Sequence, residues 1–266
     1  MRPLEQLSAE EARRTEGLII DLDDTVLDHG RLGEEAFAAL HRAERSGLPV
    51  LIATGRPAGW GEVLVRQWPV VGAVTENGAV AFQRIGAGVE RFERVSPEER
   101  QQRRHRLTRA VEELQGRFSG LLLADDNGAR RSDVTLDVGE RAQVPAEVVR
   151  EVAGLARSWG FRVTVSSVHL HLSLDGDDKA SGALWFLRER LGVDPTRALG
   201  RWAFVGDSGN DAPCFGAFRL TFGVANVARY VPLLSRPPGY VATGERGAGF
   251  AEVVATLLAR RGNKNL

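Results

Sequence analysis

The chain has 266 residues, is 43% hydrophobic and 26% charged, and balances 35 basic against 35 acidic side chains. That is ordinary globular composition, long enough for one large domain or two modest ones, and a net charge of zero argues against a broad electrostatic role on nucleic acid or anionic membrane. The one cysteine, Cys214, excludes an intrachain disulfide and suits a reducing compartment.

The first stretch, "MRPLEQLSAEEARRTEG", has no apolar centre of the secretory kind, and no apolar run approaches the roughly 18 residues of a membrane span. The expectation is a cytoplasmic protein, a monomer or small homo-oligomer, with neither nucleic acid nor membrane as partner. "GLIIDL" from Gly17 reads as a buried strand. "GEEAFAALHRAERSG" is an amphipathic helix that Gly47 ends, "PVLIATG" a second apolar strand, "PAGWGEVLVRQW" a helix opened by Pro57, and "VVGAV" a third strand. Near-continuous apolar strands alternating with helices predict a parallel sheet covered on both faces.

The rhythm then changes. "AVAFQRIGAGVERFERV" predicts a hairpin, and Ser96-Pro97-Glu98-Glu99 a capping box opening a helix through about Gln115. The basic run "RRHR" at 103–106 lies in that helix with glutamates nearby and reads as a solvated face. "SGLLLADD" and "SDVTLDVGE" read as strands around the turn "DDNGARR", "PAEVVREVAGLARSWG" as a helix, and "FRVTVSS" and "VHLHLSL" as strands. Residues 83–174 therefore form an α+β module inserted between 1–82 and 175–266. The crossover rhythm resumes with the helix "KASGALWFLRERLG", the strand "RWAFVGD", the short helix "NDAPCFGAF", the strand "RLTFGV" and the closing helix "GFAEVVATLLARRG". The five tryptophans fall mostly in these helix and strand patterns and read as core.

Ligands of parallel α/β sheets bind beyond the carboxyl ends of the strands. Four polar fragments fall there: Asp21-x-Asp23-x-Thr25, Thr54-Gly55-Arg56, Lys179 at a helix start, and "GDSGND" from Gly206 to Asp211. Each alone has an ordinary reading as a capped turn, a loop or a solvated lysine. All four in one order, each at the end of its element, do not.

The set resembles the haloacid dehalogenase-like superfamily of phosphotransferases, and the inserted region resembles its type IIB (C2B) cap. "TENGAV" at 75–80 and "GERGAGFAEVV" at 244–254 are similar to the Cof-type sugar-phosphate phosphatases, and "GDSGND" to the loop of sucrose-phosphate phosphatases. The resemblance implies a Rossmann-like core under a cap, and a Mg²⁺-dependent phosphatase of a small phosphorylated metabolite, most often a sugar phosphate. It makes Asp21 the nucleophile that carries an aspartyl-phosphate, and Asp23 the acid and then the base, for which burial under the cap would raise the pKa. Thr54 and the Gly55 amide would hydrogen-bond phosphate oxygens, and Lys179 would neutralise nucleophile and phosphate together. Mg²⁺ would be held by Asp21, the Asp23 carbonyl and Asp207, with Asp211 acting through water or by orienting Lys179.

Thr25 is expected to stabilise the turn, Asp24 to stand at the surface or just behind the residues that touch the ligand, and Asn210 to hold its loop at the substrate site. Further candidates for substrate contact are Arg56, Asn77, and Arg131 with its neighbour Arg130 for a second anionic group. His169, His171 and Ser173 share one face of an alternating strand; they bind sugar hydroxyls if that face looks into the cleft, whereas an exposed sheet face is the favoured reading. A phosphosugar mutase, a dehalogenase or a non-catalytic sugar-phosphate-binding protein would use the same fold; the dehalogenase needs no metal loop, and the binder gains nothing from clustered acids.

Overall fold

The computed structural model describes residues 1–165 and 168–262. A nine-stranded sheet runs in the order Arg2–Pro3, Tyr240–Val241, Leu220–Gly223, Trp202–Gly206, Gly17–Ile20, Val50–Ala53, Gly72–Thr75, Val80–Ile85, Gly88–Glu93. Neighbouring strands are parallel except across the last two pairings. Side chains alternate between the two faces of each strand. Leu18 and Ile20 enter one core with Leu40, Leu64 and Phe250, while Ile19 enters another with Phe186, Phe204 and Phe215. Helices Glu34–Arg45, Ala58–Gln67 and Arg246–Arg261 cover the first face, and Lys179–Leu191, Pro195–Arg201 and Ala212–Ala217 the second. Each fully buried Leu, Ile or Phe contributes about 1.5–3 kcal/mol, so burial on both faces fixes the strands whose ends carry the polar fragments.

A second, four-stranded antiparallel sheet runs Arg162–Val165, His169–Ser173, Asp133–Asp137, Leu122–Leu123. Helices Pro97–Arg117 and Ala146–Ser158 pack on one face around Leu107, Leu114, Val134, Leu136, Val152 and Leu170, a core of its own. The other face carries Thr135, Thr164, His171 and Ser173, and the last three line a cavity that Lys179 and Asn210 of the large sheet's side also line. This polar face is not the exposed surface favoured from the sequence, because the module folds over the strand ends.

The architecture is the expected α/β core with an inserted α+β module, and three details differ. The hairpin assigned to the module extends the large sheet instead, so that sheet reaches Glu93, past the expected boundary at residue 82. The cause is Val80, Ala81 and Phe82, which are buried, Phe82 against Gly61 of helix Ala58–Gln67. The segment before Gly17, read only for what it lacks, forms strand Arg2–Pro3 and helix Ala9–Arg14 with a Ser8–Glu11 capping box. Only Trp202 of the five tryptophans is buried; the guanidinium groups of Arg56, Arg94 and Arg117 lie over Trp60, Trp185 and Trp159. The expected strand "FRVTVSS" is Arg162–Val165, and residues 166 and 167 lie outside the described residues. Among the described residues, no helix is long and apolar enough to cross a membrane.

Candidate active site

Asp21 follows strand Gly17–Ile20, and Asp207 follows the adjacent parallel strand Trp202–Gly206, with Ile20 paired to Val205, so the two acids leave neighbouring strand ends one position apart in register. Lys179 opens helix Lys179–Leu191, capped by Asp178, whose carboxylate accepts from the Ser181 amide at 2.8 Å. The helix start is pressed onto the turn Glu76–Gly78: a Cβ on Gly182 would lie 2.3 Å from the Gly78 Cα. That approach sinks Lys179 to 1% exposure, with Nζ 2.7 Å from Asp21 Oδ1 and 2.7 Å from Asp211 Oδ1. Asp211 folds back under its own loop, its Oδ2 accepting from the amides of Asp207 (2.8 Å) and Ser208 (3.1 Å), where a Cβ on Gly206 would stand 2.4 Å from that oxygen. Asp207 accepts from the Thr25 hydroxyl at 3.2 Å and from Asn226 Nδ2 at 2.8 Å.

Asp21, Asp207 and Asp211 are all buried and bring carboxylate oxygens within 4.8 Å of one another. One ammonium serves three carboxylates, leaving excess negative charge out of water. Burial, reinforced by Asp211 and Asp207, pushes the Asp21 carboxyl well above its usual range against the pull of Lys179. Burial and the neighbouring Asp211 push Asp207 up to about 7. Burial alone would lower Lys179, but Asp21 and Asp211 outweigh it and hold the ammonium well above its ordinary value. An all-oxygen donor set with uncompensated charge fits a hard divalent cation.

Asp23 is absent from this cluster. Its carboxylate is half exposed and gripped by Arg56, whose Nε lies 2.9 and 3.0 Å from its two oxygens. Arg56, expected on the substrate, instead holds Asp23 and stacks on Trp60, its guanidinium carbon 3.9 Å from the ring centre. The apolar enclosure expected around Asp23 is therefore replaced by an ion pair. Thr54 is fully buried, and its hydroxyl accepts from the Arg56 amide at 3.1 Å. Gly55 faces Asn77, which would crowd a Cβ there at 3.2 Å; Asn77 is left-handed (φ 54°) and its amide donates to the Thr54 carbonyl at 3.0 Å. Asn210 lines the cavity and accepts from the Ser208 hydroxyl at 2.7 Å. Asp24 accepts from Arg246 Nε at 2.9 Å, so it is tied to the "GERGAGF" turn.

The family model for haloacid dehalogenase-like hydrolases matches residues 18–101. A phosphoglycolate phosphatase of Pyrobaculum neutrophilum is 30% identical over 247 residues, covering 91% of this chain and 95% of its own length. The chain belongs to the haloacid dehalogenase-like hydrolases. It is accordingly a phosphatase, a phosphoric monoester hydrolase. Two solved structures share the fold. A subclass IIB sugar phosphatase is 18% identical with a TM-score of 0.64, covering 93% of this chain and 99% of that one. The sucrose-phosphatase of Synechocystis sp. PCC6803, in complex with sucrose and phosphate, is 17% identical with a TM-score of 0.62, covering 91% and 98%.

In this hydrolase the candidates on the inserted module sort differently from the sequence expectation. Arg131 turns away from the cavity to Glu93, Nε to Oε1 2.9 Å. Its neighbour Arg130 is buried and faces the core, with Nη1 3.3 Å from the Gly55 carbonyl and 3.0 Å from Asp133 Oδ2. His169 lies within 3.0 Å of Glu140, outside the cavity; His171 lines it.

Sequence reasoning missed two side chains. Asn226 donates to Asp207 and to the Asp24 carbonyl (2.9 Å) while accepting from the Arg246 amide (3.0 Å), joining three segments. Glu76, in the quoted "TENGAV", is buried and takes four donors: the amides of Ala58 (2.8 Å), Arg131 (2.9 Å) and Ser132 (2.5 Å), and the Ser132 hydroxyl (2.5 Å). An acid inside an apolar strand-end fragment was the available signal for Glu76; for Asn226 there was none.

Proposed function

We propose that this hydrolase is a Mg²⁺-dependent phosphatase of a small phosphorylated metabolite, working through an aspartyl-phosphate on Asp21. The observation that carries the reading is the Lys179 ammonium set equally between Asp21 and Asp211, with Asp207 alongside. Asp21 attacks phosphorus from a rigid strand end, and Lys179 offsets the charge gathering on nucleophile and phosphoryl oxygens. The Thr54 hydroxyl and Gly55 amide hydrogen-bond the phosphoryl oxygens. Asp23 is the group at the strand end that would exchange a proton with the leaving oxygen and then with the water that releases phosphate, a role that requires its carboxylate to leave the ion pair with Arg56. Asp21, Asp207 and the Asp23 carbonyl would hold the ion, with Asp211 orienting Lys179; when bound, Mg²⁺ supplies charge compensation for the transferring group.

The module within 83–174 is proposed as the cap, its polar face roofing the site. The cavity there measures about 180 Å³, well under the roughly 300–1,000 Å³ of common ligand pockets. That favours a short leaving group, as does the phosphoglycolate in the name of the Pyrobaculum relative. A sugar phosphate is the second reading, because the hydroxyl-bearing Thr164 and Ser173 line the same cavity.

The test is Asp21→Asn, assayed by phosphate release with Mg²⁺ and again with EDTA. The amide leaves Lys179 paired with Asp211, so the fold persists while kcat falls by about 10³ or more, the scale of losing an essential nucleophile. EDTA stops the wild-type enzyme. Retained turnover in the variant removes the nucleophile, and turnover in EDTA removes the metal.

A further inference from the structure

We propose that Arg162 and His171 form an anion-reading pair that binds a carboxylate on the leaving group, which makes the substrate a phosphorylated short hydroxy acid. The inference rests on the phosphatase reading above and supplies the substrate chemistry and the residues that it leaves open.

Strand Arg162–Val165 pairs with His169–Ser173 so that Arg162 lies opposite Ser173 and Thr164 opposite His171. Arg162 and His171 are thus diagonal neighbours on one face, close enough to act on one ligand group, and both line the cavity with Lys179. The acids of that wall are already served. Asp175 pairs with Arg100 and Arg103, Asp177 with Arg94 and Asp133 with Arg130, Glu76 takes its four donors, and Asp178 caps its own helix through the Ser181 amide. Arg162 is the exception among the cavity's cations. Its Nη1 donates to the carbonyls of Gly176 (2.8 Å) and Asp177 (2.6 Å), and among the described contacts no carboxylate pairs with it. Two neutral acceptors fix the guanidinium in place without compensating its charge, and its Nε and Nη2 donors remain.

His171 is held from behind. Its Nδ1 stands 2.9 Å from the Thr135 hydroxyl and 3.2 Å from Asp133 Oδ2, and Arg130 in turn fixes Asp133. That leaves Nε2 for the cavity. With Nδ1 held on that side, Nε2 is the ring atom that a ligand oxygen in the cavity meets. A hydroxyl would leave the Arg162 charge unused, and charge-assisted hydrogen bonds are about twice as strong as neutral ones. A ligand carboxylate therefore matches this wall, and the cavity's size keeps its carbon chain short.

Three phosphate esters with one skeleton separate the possibilities: phosphoglycolate, hydroxyethyl phosphate and ethyl phosphate, each with Mg²⁺, with p-nitrophenyl phosphate as a general phosphatase probe. The wild-type enzyme prefers phosphoglycolate to ethyl phosphate in kcat/KM. In Arg162→Met, which keeps the apolar stem, that preference falls about tenfold or more, mainly through KM, as expected for a lost hydrogen bond to a charged group. His171→Gln lowers it in the same direction. Damage to the fold would lower both rates and leave the ratio unchanged, so an unchanged ratio in both variants overturns the pair. A wild-type preference for hydroxyethyl phosphate, no preference, or activity on p-nitrophenyl phosphate alone also overturns it while the phosphatase stands. Turnover of none of the four ends the phosphatase reading itself.

Discussion

Lys179 is where the site's electrostatics concentrate. Its ammonium lies 2.7 Å from both Asp21 and Asp211, at 1% exposure, and among the described residues no other positive group does so. Lys179→Met keeps much of the packing volume and removes the charge. Three buried carboxylates then lose their counter-ion, and breaking a buried pair from one side costs about 3–5 kcal/mol. Urea unfolding at neutral pH in EDTA should show that loss, with phosphate release abolished. A variant as stable as the wild type would mean that the acids do not depend on the ammonium. Lys179 and its three acids were all legible as sequence fragments, because family-like spacing placed them at strand or helix ends. Their bracing was not: Asn226 reaches Asp207 across 19 positions, and Glu76 reaches Ser132 across 56. Spacing cannot encode a contact that only the folded loops create. The same limit applies to Arg56, whose bidentate grip on Asp23 needs the ends of two neighbouring strands.

Among the elements, periodicity gave the strands and helices of the large sheet but not where the hairpin attaches. Val80–Ile85 alternates enough to read as a hairpin arm, yet its attachment depends on Phe82 finding the space at Gly61. Alternation in "HLHLS" likewise paired the right residues on one face, while the position of the module decided which of them reaches the cavity. Module and core are joined by Glu76, which sits on the turn after strand Gly72–Thr75 in a left-handed conformation (φ 50°) and binds both the start of helix Ala58–Gln67 and the loop at 131–132. Burial first, then Asp133, raises its carboxyl above the ordinary value, so its four donors work against a real desolvation cost. Glu76→Ala strands those donors, at a cost on the order of 3 kcal/mol. Hydrogen exchange should speed up at the amides of Ala58, Arg131 and Ser132 and stay slow at Ile19 and Leu51. Equal protection in variant and wild type at 131–132 would show that the module is held by other contacts.

Across the whole molecule, the segment before Gly17 closes the far edge of the large sheet, where Arg2–Pro3 pairs with Tyr240–Val241. Glu11 ties this edge down, with Oε2 accepting from the Tyr240 hydroxyl at 2.8 Å and the Ser8 hydroxyl at 2.6 Å, and Oε1 lying 3.2 Å from Arg2. Partial burial raises its carboxyl, but the hydrogen bonds of Ser8, Tyr240 and Arg2 together outweigh this and lower it from 4.5 to about 2. The sign of the linkage follows. Over the interval between those values the unfolded chain binds the proton that the folded one refuses, so stability rises with pH there and is lost as the pH is lowered. The contribution of Glu11 is complete above its unfolded value of 4.5 and is lost progressively as pH drops toward about 2. Glu11→Gln removes the charge at every pH. The stability gap between wild type and variant in urea should stay level from neutral pH down to about 5 and narrow below that. Because the edge strand belongs to the same sheet as Asp21 and Asp207, a cooperative unfolding transition carries this term into the midpoint of the entire chain. A gap that stays constant below the unfolded value would place the Glu11 contacts outside the cooperative unit.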